Sequence, residues 1–200
     1  MSATNSIQIL TELSQQHHGH IRTAEAEAAG VSRTMLAKHV RLGRLERIAH
    51  GLYILPDALP DELFLLQQRV AGVIYSHETA LFLHDMAERT PFEYSVTIAS
   101  GKKLSPAASE GVKVYRVKPE LHEIGLVTLP TKMGHEVRCY DLERTICDVL
   151  RSRSRIDDQI VVAAMKAYAA SKKQDMNKLR QYAQAFHVTK ILRQYLEVLL

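Results

Sequence analysis

Apolar positions recur at helical spacing near the start of the chain. Ile7, Leu10 and Leu13, with Ile9 beside them, form one stripe over Ser6–His17, and the segment ends at His18-Gly19. Thr23–Ala29 is a second, Ala-rich helix, with Thr23 placed as N-cap and Glu25 and Glu27 in its first turns, where carboxylates suit the helix dipole. Gly30 stops it, as glycine does at a C′ position. Ser32 then caps a third helix running to about Leu42. There Leu36 and Val40 face inward with Val31, while Thr34, Lys38 and Arg41 fall on another face as a polar, mostly cationic stripe. Leu45–Leu55 is two short apolar runs separated by His50-Gly51, which predicts a tight hairpin with Gly51 at positive φ.

Pro56-Asp-Ala-Leu-Pro60 breaks both helix and strand, so the domain junction is expected there. Beyond it, Asp61–Val70 reads as a helix with Leu63, Leu66 and Val70 inward, and Gly72–Tyr75 as a short strand. Ser76 is placed as the cap of a helix over HETALFLHDMAE. Tyr94–Ala99, Val112–Val117, Gly125–Leu129 and Glu136–Tyr140 read as strands of one small sheet. Asp141 caps LERTICDVLR, and three helices follow: Asp157–Ala170, Asp175–Phe186 and Thr189–Leu199. Ile160, Val161, Ala164 and Tyr168 are the expected inner face of the first of these.

Two hundred residues suit two small domains. No run of eighteen apolar residues predicts a membrane span, and the N-terminus lacks the pattern of a signal peptide, so a cytoplasmic location is expected. Cys139 and Cys147 fall outside any CxxC pattern and are expected to be reduced and buried. The net charge of +4 is uneven: residues 1–56 carry an excess of two cations, residues 57–140 an excess of two anions, and residues 141–200 an excess of four cations. The C-terminal excess comprises Arg151, Arg153, Arg155, Lys172, Lys173, Lys178, Arg180, Lys190 and Arg193, with Lys166. Its ordinary reading is a solvated surface; its functional reading is a face for an anionic partner.

Helix, glycine turn, helix and hairpin in that order is what a winged helix-turn-helix needs: an inner face that anchors the second helix and an outer face that enters the major groove. A glycine between two short helices is common as mere packing. The cationic stripe and the following hairpin are what favour DNA. The candidate DNA contacts are Ser32, Arg33, Thr34, Lys38 and Arg41 on the helix and Arg44 and Arg47 at the wing, with Thr34 and Lys38 the expected base readers. Elsewhere the chemistry is thin. His17, His18 and His20 lack accompanying ligands at metal spacing, and His77 and His84 read as ordinary core or surface histidines. Glu110-Gly-Val-Lys113 superficially resembles the E-x-K end of a nuclease metal site, but the preceding strand YSVTIAS has no acidic partner. GxxxxGK[ST], GxGxxG and GxSxG are all missing, so no enzyme and no cofactor are expected.

RLGRLERIAHGLYILP resembles the wing of the AbiEi-type antitoxins, regulators of type IV toxin–antitoxin (abortive infection) systems. YSHETALFLHDM is similar to that family's His-x-Ser-Ala-Leu-x-x-His-Gly helix, with Thr79 in place of Ser and Asp85-Met86 in place of Gly-Leu. YSVTIASG and YDLERTICDVLR resemble the strand and the E-R-T-x-x-D helix that follow, so the likeness runs in order from Thr23 to Arg151. The resemblance implies repression of the protein's own promoter at inverted repeats in double-stranded DNA and a functional pairing with a nucleotidyltransferase-like toxin in antiviral defence. It also implies antitoxin activity in the C-terminal domain.

The expected architecture is therefore α+β: a winged helix-turn-helix over residues 1–56, then a mixed α/β domain over residues 57–200 with a helical end. The expected function is that of an antitoxin and negative autoregulator. The alternative is a winged-helix interaction module whose basic C-terminal helices bind an acidic protein or RNA.

Overall fold

The computed structural model describes residues 3–87 and 89–199. The chain is α+β and forms two compact units. The first runs to Ala71 and includes Thr131–His135; the second comprises Gly72–Pro130 and the chain from Glu136 on. Among the described residues no helix is long and apolar enough to cross a membrane.

The first unit contains α1 (Ala3–Gln16), β1 (His20–Arg22), α2 (Thr23–Ala28), α3 (Arg33–Arg41), β2 (Glu46–Ala49), β3 (Leu52–Ile54) and α4 (Glu62–Arg69). Leu10, Ile21, Ala26, Val31, Leu36 and Leu45 form its core, each with no more than 1% of its surface exposed. The hairpin β2–β3 turns at His50-Gly51, where Gly51 has φ +68°. β1 adds a third antiparallel strand on the other side of β3, pairing His20 with Ile54 and Arg22 with Leu52. Thr23 is not the N-cap of α2. Arg22 holds that position, its backbone N–H bonded to Glu25 Oε2 at 3.0 Å, and Thr23 spends its backbone N–H and hydroxyl on the Gly51 carbonyl.

The first unit extends beyond the junction expected at Pro56–Pro60. Helix α4 belongs to it because Phe64 stacks on His20 and because the Arg69 guanidinium donates to the Ile48 carbonyl at 3.1 Å. The two prolines mark a turn within the unit.

The second unit holds β4 (Ile74–Tyr75), α5 (His77–Leu83), β5 (Tyr94–Ala99), α6 (Pro106–Ser109), β6 (Val112–Val117), β7 (Leu126–Pro130), β8 (Glu136–Tyr140), α7 (Leu142–Arg151), α8 (Asp158–Ala170), α9 (Met176–Ala185) and α10 (Thr189–Leu199). Its five-stranded sheet has the order β6-β5-β4-β8-β7, with β5–β6 and β4–β8 parallel and the other pairs antiparallel. Asp85, which follows α5 where the resembling family has glycine, takes φ +57°, the left-handed backbone a glycine would supply.

Helix α7 is the centre of this unit: every residue from Leu142 to Leu150 is buried. Ile146, Val149 and Leu150 pack with Val161, Met165, Tyr168, Leu179, Phe186 and Leu192 of the C-terminal helices. Ile160 stays 37% exposed, because the inner stripe of α8 runs through Val161, Ala164, Met165 and Tyr168 instead. The buried charges of α7 are paired inside, although Arg144 Nη2 is left without a hydrogen-bond partner among the described residues. Arg144, fully buried, donates to Asp148 Oδ2 at 2.9 Å and to the carbonyls of Leu121 and Ile124 at 2.9 and 2.7 Å. Its guanidinium lies between the Tyr140 and Phe186 rings at 4.0 and 3.9 Å. Gly125 makes room for it: a Cβ there would sit 2.7 Å from Arg144 Cβ, and φ is +78°.

Removing one partner of such a pair leaves the other charged and buried. Asp148→Ala is expected to destabilise the second unit by about 3–5 kcal/mol, read from the midpoint of urea unfolding. The double change Arg144→Met/Asp148→Leu is expected to cost less than the two single changes added together.

Candidate functional site

The exposed face of α3 and the adjoining hairpin are assembled from local rules. Ser32 Oγ accepts the Met35 N–H at 3.3 Å and starts the helix. Leu36 anchors the inner side, and so does His39, which is wholly buried with Nε2 2.8 Å from Ser6 Oγ of α1. Burial, with Arg44 and Lys38 adding to it, holds the His39 pKa below its ordinary value, so no charge lies behind the face. The outer side presents Thr34, Ala37, Lys38 and Arg41, all exposed. Thr34, Lys38 and Arg41 are engaged with no other described side chain.

The other candidates differ in how free they are. Arg33 sits at the edge of the face and is held by Glu27, Nε to Oε1 at 2.9 Å and Nη2 to Oε2 at 3.3 Å. Arg44 is exposed just beyond α3. Arg47 is folded onto the hairpin turn, donating to the Ala49 carbonyl at 3.3 Å and to His50 Nδ1 at 3.2 Å. The strand β2 is bulged between Arg47 and Ala49. Ser32, Arg33, Thr34, Lys38, Arg41, Arg44 and Arg47 are thus all exposed on α3, its flanks and β2, with Arg33 and Arg47 locally tethered.

A polar chain that no local sequence signal marks supports the sheet of this unit. Thr131 Oγ1 donates to Asp61 Oδ2 at 2.5 Å, and His135 Nδ1 meets the same oxygen at 2.9 Å. With its Nδ1–H given to Asp61, His135 offers Nε2 as acceptor to His20 Nδ1 at 2.6 Å. Asp61 Oδ1 also caps α4 through the Phe64 N–H. Burial first, and the neighbouring His135 second, lower the His20 pKa to about 4. His20 is close in sequence to His17 and His18, yet among the described residues no group of three or more His, Cys, Asp or Glu side chains is placed to hold a metal ion.

In the second unit the nine C-terminal cations do not form one surface. Arg151 pairs with buried Asp148 at 3.2 Å, and Lys178 with Asp141 at 3.0 Å and Glu143 at 4.0 Å, so both neutralise carboxylates of the core helix rather than facing a partner. Arg153 donates to the Leu150 carbonyl, and Arg155 stacks 4.5 Å over Tyr115. Lys172, Lys173, Arg180, Lys190 and Arg193 are exposed. Lys113 is bonded to Glu78 at 3.3 Å and to the Arg155 carbonyl at 2.8 Å, which removes the pairing with Glu110 considered from sequence. His77 and His84 serve separate roles: His77 is bonded to Ser76 and Ser152 and stacks on Tyr115, while His84 reaches the Tyr140 carbonyl. Cys139 and Cys147 are buried and reduced, and burial pushes both thiols up, that of Cys147 to about 12.

Residues 8–56 match the family described as transcriptional regulator, AbiEi antitoxin. No curated protein matches the chain in sequence. The crystal structure of the RV2827C protein from Mycobacterium tuberculosis is similar in fold, with a TM-score of 0.63 over 96% of this chain and 77% of that one, at 12% identity.

The His20 shift makes the first unit sensitive to acid. Above pH 6.5 the imidazole is neutral folded and unfolded; between 6.5 and about 4 only the unfolded chain takes up the proton, so stability falls through that window. The contribution at stake is up to about 3 kcal/mol. Melting temperatures at pH 7.5 and 5 are expected to differ less in His20→Gln than in the wild type, and an unchanged difference would place the acid sensitivity elsewhere.

Proposed function

We propose, from the AbiEi antitoxin match of residues 8–56, that this chain is a type IV antitoxin that represses its own promoter. The observation that carries the DNA reading is the outer face of α3, where Thr34, Lys38 and Arg41 stand exposed and unengaged beside a wing. An α-helix with its side chains is about 10–12 Å across, and the major groove is about 12 Å wide, so α3 fits with its outer arc on the base edges. Leu36 and His39 on the opposite side fix its orientation against α1, α2 and the sheet.

In this reading the first unit recognises inverted repeats as a winged helix-turn-helix, and the second unit carries the antitoxin activity. Thr34 and Lys38 read bases, Arg41 joins them or a flanking phosphate, and Arg44 and Arg47 hold phosphates beside the wing. Arg47 swings from its own turn to do so, giving up two weak exposed hydrogen bonds for a charge-assisted one. Arg33 is available only in competition with Glu27. The protein works in the cytoplasm, in functional partnership with a nucleotidyltransferase-like toxin in abortive infection. No reaction and no cofactor is proposed for either unit.

Gel-shift binding to the DNA upstream of the protein's own gene, at two salt concentrations, tests this. A specific shift is expected for the wild type and is expected to vanish in Lys38→Ala/Arg41→Ala. Arg44→Ala or Arg47→Ala should weaken binding to all sequences alike and flatten the salt dependence by about one phosphate contact each. Glu27→Gln, which frees Arg33, is expected to tighten binding to any duplex by up to about five-fold, the worth of an exposed ion pair. Equal binding to scrambled DNA, or none, would end the repressor reading.

A further inference from the structure

Four side chains occupy the solvent-facing arc of α3: Thr34, Ala37, Lys38 and Arg41. At about 100° per residue they span roughly 100° of the helix circumference, with Thr34 and Arg41 near its middle and Lys38 and Ala37 at its two edges. Three of them carry hydrogen-bonding groups. Ala37 carries a methyl alone, and it lies mid-helix, where a helix held in a groove comes nearest the base edges.

The next side chain round the helix beyond Ala37 is Arg33. Its guanidinium is drawn aside to Glu27 at 2.9 Å, so no long cation covers the alanine. The helix therefore offers a bare apolar spot flanked by Arg41. In the major groove, the feature that complements a small apolar side chain is the thymine 5-methyl group. Cytosine lacks that methyl and turns an amino group to the groove instead.

We propose that Ala37 is a specificity-determining residue that packs against a thymine methyl within each promoter repeat. The inference rests on the proposed operator binding and adds to it a base identity read by contact rather than by hydrogen bond. Thr34 also bears a methyl and is the rival reader on the same arc. The Glu27–Arg33 pair acquires a second role, because it keeps the Ala37 side of the groove clear.

The test uses the full-length protein and duplexes of its own upstream repeat in which single thymines are replaced by deoxyuridine, which removes only the methyl. At one position per repeat the replacement is expected to weaken wild-type binding by about three- to five-fold, the worth of burying one methyl. Ala37→Gly is expected to bind the thymine and deoxyuridine duplexes equally while still preferring the repeat over scrambled DNA. Glycine also loosens the helix, so Ala37→Ser, which folds as a helix residue but replaces the apolar contact with a hydroxyl, serves as a second variant and is expected to lose the same sensitivity. Thr34→Ser is expected to keep it. A specific shift that is indifferent to every replacement overturns the role of Ala37 and leaves the repressor reading intact. So does sensitivity that survives in both Ala37 variants or is lost in Thr34→Ser. The absence of any specific shift overturns both.

Discussion

The guanidinium of Arg144 is the fixed point of the larger unit. A charge this deep is tolerable only when most of its directions are answered, and here Nη2 alone lacks a hydrogen-bond partner among the described residues. Asp148 answers one, the carbonyls of Leu121 and Ile124 answer others, and the Tyr140 and Phe186 rings close its two faces. Those partners come from β8, from the turn before β7, from α7 itself and from the end of α9. One side chain therefore specifies how four parts of the chain approach each other. The neighbouring motif residues extend the same logic outward. Asp141 caps α7 and accepts from Tyr182, and Glu143 accepts from Tyr168 and from the backbone N–H of Asp175, which is itself the cap of α9. An apolar core of the same volume would fill this space with less desolvation cost; what the ionic arrangement adds is a single permitted register for the helices packed on α7.

The smaller unit solves a related problem with imidazoles. Its apolar core is modest, and its outward helix α3 must be held steady against a thin three-stranded sheet. His39 ties α3 to α1 through Ser6, and the Asp61–His135–His20 chain ties α4 and β1 together beneath the Phe64 ring. Burial holds both His39 and His20 below the ordinary imidazole pKa, the first behind the exposed cations of α3 and the second in the strand that backs the hairpin. Neutrality matters at the first position: a proton on His39 would add a buried charge next to Lys38 and Arg44.

Much of this was legible in the sequence because the signals were local. The Thr34, Lys38 and Arg41 spacing placed an exposed arc, His50-Gly51 placed the hairpin turn, and the aspartates at 61, 141, 157 and 175 placed four helix starts. What escaped notice was set by distant partners. β1 is three residues long and has too little alternation to register, and it exists because β3 has a free edge. His39 looks like a polar surface residue in a helix of cations until α1 supplies Ser6. The Pro56–Pro60 stretch carries every local mark of a linker, yet the residues after it pack back onto the hairpin they follow. The E-R-T-x-x-D run was recognisable as a pattern, but charges four apart on a helix are usually a solvated pair. Nothing in the sequence said that this pair would be taken inside.

The excess of positive charge in the C-terminal helices looks uniform in sequence, but the structure sorts it: Arg153 and Arg155 are spent on the Leu150 carbonyl and the Tyr115 ring, and most of the rest fall into two kinds. Arg151 and Lys178 answer buried or half-buried carboxylates of α7, so replacing either leaves an anion uncompensated and perturbs the packing of the helices around it. A variant of that kind loses function by losing structure and says nothing about a partner. Lys172, Lys173, Arg180, Lys190 and Arg193 stand outside the core, and their replacement changes charge without withdrawing a counter-ion from the interior. Among the cations of the C-terminal helices, those of this second kind are the ones left to face solvent, since the first are already committed to holding the fold.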